Sequence, residues 1–122
     1  MIIMENQLVD FSFVYDMAEG DTTYIYELLS LFLKTLSEGM VKLEGIIKSD
    51  EDYEAIRFQA HFLKSSAKVV KVKGMFEGFV ELEALAREHM SRERMLVILA
   101  DLLIIFENAR PVLEAEVLKN QI

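Results

Sequence analysis

Apolar side chains recur at steps of three and four residues along positions 22–48, a run that no proline interrupts. This spacing places them on one face of an α-helix of about seven turns. A helix in water depends mainly on packing of its apolar face for stability, so this run constrains the whole fold. The inward positions are Ile25, Leu28, Leu29, Phe32, Leu36, Met40, Leu43 and Ile47.

The rest of the chain also predicts helices, because glycine and proline are scarce, at five and one in 122 residues. No stretch alternates apolar and polar residues as a strand does. Further helices are predicted over residues 8–18, 51–70, 75–89 and 92–118. The predicted fold class is therefore all-α: an antiparallel, up-and-down four-helix bundle with a short extra N-terminal helix.

Polar residues and helix breakers mark where these helices begin and end. Gly20 is expected to end the first helix, and Pro111 to kink or restart the last one. Residues 71–74 mark a break after the third helix. The side chains expected to cap helix N-termini are Asp21, Ser49 or Asp50, and Ser91.

Composition bounds the domain organisation and excludes several classes of function. We expect one domain over residues 1–122, since 52% apolar residues are too many for a disordered chain. The absence of cysteine excludes a disulfide scaffold, a thiol nucleophile and a thiolate metal site. A formal charge of −8 argues against nucleic acid and anionic membrane surfaces as partners.

No segment predicts secretion or insertion into a membrane. Residues 1–4 lack the basic residues and the long apolar core of a secretory signal. The most apolar run, residues 95–106, is too short to cross a bilayer and contains Asp101, so we interpret it as a buried helix. We therefore expect a cytoplasmic protein, which also fits the lack of cysteine.

The third predicted helix has two contrasting faces. Its core line is Ile56, Ala60, Leu63, Ala67 and Val70, widened on one flank by Ala55, Phe58, Phe62 and Val69. The opposite face holds Arg57, His61, Lys64, Ser65 and Lys68, and Lys71 and Lys73 extend its positive charge. No acid lies between Arg57 and Lys73. A charged helix face is usually only solvated, but like charges at this spacing repel, which favours a functional site here.

A histidine that faces water among cations is suited to accept a phosphoryl group. The unperturbed pKa of an imidazole is about 6.5, so at physiological pH the ring is mostly neutral and offers a nitrogen lone pair. The lysines near His61 disfavour a protonated ring and can neutralise the charge of phosphoryl oxygens. The chain has neither a glycine-rich phosphate loop nor a Walker lysine motif. We therefore expect it to receive and pass on phosphate, not to generate it from ATP.

These residues resemble the histidine-containing phosphotransfer (HPt) domain of two-component phosphorelays. The family pattern is roughly His-x-Leu-Lys-(Gly/Ser)-Ser-(Ala/Ser), followed some twenty residues later by Leu-Glu or a similar pair. Residues 24–33 are also similar to the helix that precedes the histidine helix in the family, and the likeness extends over about residues 13–88. The matching residues are His61, Leu63, Lys64, Ser65, Ser66 and Ala67, with Leu82 and Glu83.

The resemblance implies a role for each matching polar residue. His61 would accept phosphate on Nε2 from the aspartyl phosphate of a receiver domain, and Lys64 would help to hold the phosphoryl group. Glu83 would hydrogen-bond the other ring nitrogen and orient the imidazole. The alternatives are a snorkelling lysine and a solvated glutamate. The residues expected to dock the receiver are Arg57, Ser65, Lys68 and Lys71.

Two departures from the family pattern concern docking. Ser65 replaces a frequent glycine but is still small. Lys71 replaces another frequent glycine, and glycine comes only at Gly74. This leaves open how the third helix ends and which receiver fits. On the fourth helix, Gly78 is expected to allow close packing or merely to be tolerated.

The resemblance also implies the partners: response-regulator receiver domains and a hybrid sensor histidine kinase. We expect a phosphocarrier and phosphoprotein that is a monomer, has no kinase activity, and needs no cofactor or metal. The two histidines are far apart in the sequence, and no Glu-x-x-His pair of the di-iron type is present. Apolar candidates for docking are Phe11, Phe13, Tyr15, Met17 and Ile25, although residues of this kind are more often core.

Two other classes of function stay open at this point. One is a helical adaptor or receiver-binding inhibitor that keeps the fold without phosphoryl chemistry. The other is a metal or cofactor enzyme built on a bundle, which the missing ligands disfavour. The sequence does not name the cognate kinase, the receiver, the signal or the output.

Overall fold

The structure, a computed structural model, describes residues 7–49 and 52–121. Five helices and one pair of short strands make up these ranges. In chain order they are β1 (Val9–Asp10), α1 (Ser12–Ala18), α2 (Thr22–Lys48), α3 (Tyr53–Val69), β2 (Lys71–Val72), α4 (Met75–Arg87) and α5 (Arg92–Lys119).

The four long helices form the predicted bundle, with α1 as the short extra helix. α3 packs between α2 and α4, and α5 closes the bundle by packing against the same two helices. The predicted inward line of α2 is confirmed, since its members are buried except for the partly buried Leu28. No helix in the described ranges combines the length and the apolar character that crossing a membrane requires.

Most helix ends follow the capping pattern of the sequence. The side chains of Asp21 and Ser91 accept the backbone N–H groups of Tyr24 and Arg94, as predicted. The predicted N-cap of α3 is wrong, because the side chain of Asp52 accepts the N–H of Ala55 and the helix begins at Tyr53. The predicted cap at Asp50 and the predicted first helical residue, number 51, lie outside the described residues.

The last helix does not restart at its proline. α5 is one helix of 28 residues with Pro111 inside it. Proline in a helix interior removes one hydrogen bond, at a cost of about 3 kcal/mol. Burial of Phe106 and Ala109 before it and of Leu113 after it holds both halves against the bundle and offsets that cost.

The strand pair is the element that the sequence did not predict. β1 and β2 are antiparallel, with Val9 opposite Val72, and both valines are buried. The N–H of Lys73 also donates to the carbonyl oxygen of Leu8 at 2.9 Å. The prediction of helix from residue 8 is therefore wrong, because this segment pairs with the exit of α3 and α1 begins only at Ser12. Two-residue strands are too short to give a readable alternation.

Two glycines allow close helix contacts on either side of the bundle. A Cβ at Gly39 on α2 would come within 2.5 Å of a methyl carbon of Leu63 on α3. The carbonyl oxygen of Gly39 also accepts the buried side-chain amide of Gln59 at 3.2 Å. A Cβ at Gly78 would meet Leu102 at the same distance, so the sequence's expectation of close packing there is confirmed. The first contact fixes the position of α3, and therefore of His61, relative to α2.

Candidate functional site

His61 lies at the middle of α3 and its side chain is 56% exposed. The residues before and after it on the core side, Ala60 and Leu63, are buried, so the helix is anchored while the ring faces outward. The imidazole is therefore open to another molecule.

The imidazole ring is contacted from α4 by Glu83, which is buried although it is charged. Its Oε2 lies 2.8 Å from Nδ1 of His61 and its Oε1 lies 2.6 Å from Nζ of Lys64. Burial by itself raises the pKa of the Glu83 carboxyl, but hydrogen bonds from Lys64 and His61 outweigh it and hold the pKa below its ordinary value of 4.5. An ionised carboxylate only accepts hydrogen bonds, so Nδ1 of His61 is the donor. In the neutral ring, Nε2 then holds the lone pair.

Lys64 is held beside this pair by the same carboxylate. Only 18% of its side chain is exposed, which distinguishes it from a solvated surface lysine. The sequence of α3 alone suggests a purely positive surrounding for the imidazole, but the structure adds a negative charge. An acid 22 residues away in the sequence balances the nearest lysine.

Arg87 belongs to this cluster and was missed in the sequence analysis. Its guanidinium lies 3.5 Å from Oε2 of Glu83, the oxygen that also contacts His61. The signal was present, because Arg87 is four residues after Glu83 on one helix, a spacing that brings side chains together. The site thus combines one imidazole, one buried carboxylate and two cations.

The predicted docking residues are spread along the outer side of α3 and beyond it. Arg57 donates to Glu54 on its own helix, so its charge is partly compensated. The hydroxyl of Ser65 donates to the carbonyl oxygen of His61 at 3.2 Å. Lys68 is exposed in the last turn of α3. Lys71 lies in β2, with its ammonium 5.7 Å from the centre of the Phe13 ring. None of these four is hydrogen-bonded to Glu83 in the described contacts, although the charge of Arg57 interacts with that of Glu83.

Two aromatic residues that the sequence analysis assigned to the core are exposed next to His61. Phe58 is 66% exposed and Phe62 is 49% exposed. The predicted core line of α3 is buried, but the predicted flank is wrong, because the buried stripe widens on the side of Gln59, whose amide donates to Gly39 on α2, and both rings lie outside it. A shallow groove lies farther along the same side, between α2 and α3, and is lined in part by Leu28, Leu31 and Val69.

The apolar docking candidates of the N-terminal region separate into two groups. Phe13 and Met17 are exposed, as docking requires. Ile25 is in the core, and Phe11 and Tyr15 are partly buried against it. The hydroxyl of Tyr15 donates to Glu116 and accepts from the amide of Asn120, so it connects α1 to the end of α5. The buried-helix interpretation of residues 95–106 holds for one face only, because Val97 and Ile104 are exposed.

No group of three or more potential metal-ligating side chains lies together within residues 7–49 and 52–121. The described part of the chain thus offers no evident metal centre. Its buried side-chain polar atoms all have hydrogen-bond partners.

Comparison with known proteins places this site in context. The family model described as the Hpt domain matches residues 27–116, which include α3, α4 and most of α2 and α5. Among solved structures, a rice protein described as a histidine-containing phosphotransfer protein superposes with a TM-score of 0.82 at 18% sequence identity. The match covers 97% of this chain and 85% of the rice chain, and at this identity it shows the shared fold. A search of curated proteins gave no match.

Proposed function

Because the chain belongs to the Hpt domain family, which serves histidine phosphotransfer in phosphorelays, we propose that His61 is its phosphoacceptor. The protein takes a phosphoryl group from the aspartyl phosphate of one receiver domain and passes it to another. It is a phosphocarrier without kinase activity or ATP binding of its own. The single observation that carries this proposal is the exposed imidazole whose Nδ1 is held by the buried carboxylate of Glu83.

The transfer step follows from the tautomer of His61. Nε2 attacks the phosphorus atom in line with the bond to the aspartate oxygen of the receiver. The N–P bond forms while the P–O bond breaks, and the aspartate leaves as a carboxylate with the electron pair. Positive charge develops on the ring during attack, and Glu83 stabilises it through the hydrogen bond to Nδ1. The return reaction follows the same path in reverse.

Lys64 is suited to balance the charge of the phosphoryl oxygens. An ammonium group has three N–H donors, so Lys64 can keep its bond to Glu83 and direct another donor toward the phosphoryl group. Arg87 contacts the same carboxylate and supplies a second cation nearby. Because the carboxylate holds both cations in advance, little rearrangement is needed during transfer.

The surface around His61 supports docking of a receiver domain. Phe58 and Phe62 provide apolar area beside the imidazole, and such exposed aromatic residues often dominate binding energy. A polar and mainly positive rim suits the acidic pocket of a receiver. Its residues are Arg57, Ser65, Lys68 and Lys71. A hybrid sensor histidine kinase is the expected source of phosphate through its own receiver domain. We assign the chain to the cytoplasm, as one domain that acts as a monomer.

The proposal is tested by phosphoryl uptake from an isolated receiver that has been phosphorylated with a small-molecule donor. The wild-type chain should gain acid-labile, base-stable phosphate, as a phosphoimidazole does. The His61→Gln variant should gain none, and His89→Gln is the matched control, because His89 is exposed and stacks on Tyr53 away from the Glu83 cluster. Label on the His61→Gln variant would overturn the assignment. A variant that still acted in signalling without taking up phosphate would favour the adaptor instead.

A further inference from the structure

One concavity in the described residues lies not at His61 but at the far end of α3. It has a volume of about 610 Å³, whereas three other clefts in the described part of the chain hold about 240 Å³ or less. Sites for small molecules are usually concavities of roughly 300–1,000 Å³. None of His61, Lys64 and Glu83 lines it, so it is separate from the proposed phosphoacceptor site. We call it the lysine groove, after Lys68, Lys71 and Lys73 in its wall.

The lysine groove is built on the strand pair. Val9 and Val72 are buried where the two strands pair, whereas Leu8, Lys71 and Lys73 beside them are exposed. The N–H of Lys73 is bonded to the carbonyl oxygen of Leu8, so the two strands hold the walls together. The strand pairing therefore holds the walls of the groove in place, which lowers the entropic cost of binding.

Charge and apolar area in the lysine groove define the ligand. Three lysines gather there in a chain whose formal charge is −8. Leu8 and the partly buried Phe76 add apolar and aromatic surface to the same groove. Lysine ammonium groups bind phosphate as point charges, and an aromatic side chain offers a face to a flat ring.

Two acids in the lysine groove favour a compact anion over an extended acidic segment of a protein. Asp10 and Glu77 line the groove together with the lysines. The carboxylate of Asp10 accepts the N–H of Ser12 at 2.9 Å, so it is held in place at the start of α1. An acidic polypeptide that spans the groove would face both carboxylates, whereas a phosphate group concentrates its charge at one point among the lysines.

We propose that the lysine groove binds a small phosphorylated molecule that has an apolar or aromatic ring. The phosphate lies among Lys68, Lys71 and Lys73, and the ring lies against Leu8 and Phe76. Binding is non-covalent and does not depend on the phosphoryl chemistry of His61. If the proposed function holds, an occupied groove also neutralises Lys68 and Lys71, which form part of the receiver docking rim, and so slows receiver association.

The test is a titration of isotope-labelled protein, followed by amide chemical shifts, without any receiver present. Phenyl phosphate is the probe, with inorganic phosphate and phenol as its separate halves. Phenyl phosphate should bind saturably with a Kd below about 1 mM and shift the amides of residues 71–77. Lys73→Gln and Lys68→Gln should each weaken binding roughly three- to tenfold. Lys34→Gln on α2, an exposed lysine that does not line the groove, should leave the affinity unchanged.

Several results would overturn the proposal. Shifts that do not saturate would show that the groove has no specific site for phenyl phosphate. Equal affinity for inorganic phosphate would show that the ring is not recognised. Tighter binding of a short poly-aspartate peptide would assign the lysine groove to an acidic protein segment. Because no receiver is used, failure of this titration is distinguishable from failure of the proposed phosphotransfer.

Discussion

The two flanks of His61 differ in how their side chains are held. On the flank toward α4, Lys64 and Arg87 contact the buried carboxylate of Glu83, which also holds the ring. On the flank toward α2, Phe58 and Phe62 face outward beside the ring. The first flank is a set of charges arranged in advance, and the second is apolar area available for contact.

This difference separates the chemical step from recognition. A buried carboxylate with three polar partners is sensitive to the loss of any one, because burial makes an unpaired charge costly. Exposed aromatic rings contribute little to the stability of the free protein but can contribute much to a complex. Substitutions on the first flank should therefore change transfer, and for Glu83 stability as well, whereas substitutions on the second should change only the affinity for the receiver.

The largest effect is expected for Glu83→Ala. Loss of the buried acceptor leaves Lys64 and His61 without their partner, so the free energy of unfolding should fall by about 2–3 kcal/mol and phosphoryl uptake should slow at least about tenfold. Urea unfolding and single-turnover uptake measure the two quantities. Glu81→Ala is the control, because Glu81 lies on the same helix but forms an exposed ion pair with Arg94. An equal loss of stability in both variants would contradict the special role of Glu83.

The next effect is expected for Lys64→Ala. Transfer should slow by roughly ten- to a hundredfold, since one donor to the phosphoryl oxygens is lost, while the domain stays folded. Rapid-quench measurement of uptake from a phosphorylated receiver gives the rate. Lys34→Ala on α2 removes an exposed lysine without touching the Glu83 cluster and should transfer at the wild-type rate. An unchanged rate for Lys64→Ala would exclude Lys64 from the transfer step.

A change of about tenfold is expected in receiver affinity for Phe62→Ser, because the lost contact is worth about 1.4 kcal/mol. The free energy of unfolding should change by less than about 0.5 kcal/mol, since the ring is half exposed. Calorimetric binding to the receiver measures the effect. Val97→Ser is a matched control, because Val97 is 50% exposed on α5, which packs against α2 and α4. An equal loss of receiver affinity in both variants would show that the receiver does not dock specifically on the α2 flank.

Acid should weaken the polar flank selectively. The pKa of Glu83 is lowered in the folded protein, so its ionised form stabilises the fold above the ordinary value of 4.5. This contribution is lost as the pH falls through the lower, folded pKa. Urea unfolding of wild type and Glu83→Gln should therefore show a constant difference above pH 4.5 and a shrinking one below it. A difference that grows on acidification would show that the carboxyl is not stabilised as an anion.

The smallest effects are expected for the charges of the docking rim. Lys68→Ala should reduce the rate of receiver association by roughly two- to fivefold at low salt, and the effect should fade as salt is added. Arg57→Ala should change the rate less, because Glu54 already compensates part of its charge. Stopped-flow association at two ionic strengths compares them. A larger effect for Arg57 than for Lys68 would mean that the ion pair with Glu54 opens on docking.

Much of the fold could be predicted from local patterns. The repeat of apolar residues along α2 determines its length and its inward face, and capping by Asp21 and Ser91 fixes where α2 and α5 begin. The strand pair could not be predicted, because two-residue strands have no visible period and depend on a partner some sixty residues away. The start of α3 was predicted wrongly for a different reason, because several polar residues before it can cap a helix and Asp52, not an earlier one, does so.

The sequence by itself determined the residues of the candidate site that share one helix. His61 and Lys64 lie three residues apart, and helical geometry alone places them on one side of α3. Only the tertiary structure decided that Glu83 is buried between them and that Arg87 joins it, because these contacts depend on how α4 packs against α3. It also decided that Phe58 and Phe62 face outward, since the buried stripe of α3 widens on the side of Gln59, which contacts Gly39 on α2. Local patterns follow from the geometry of one helix, whereas burial and charge pairing depend on the surfaces that neighbouring helices bring together.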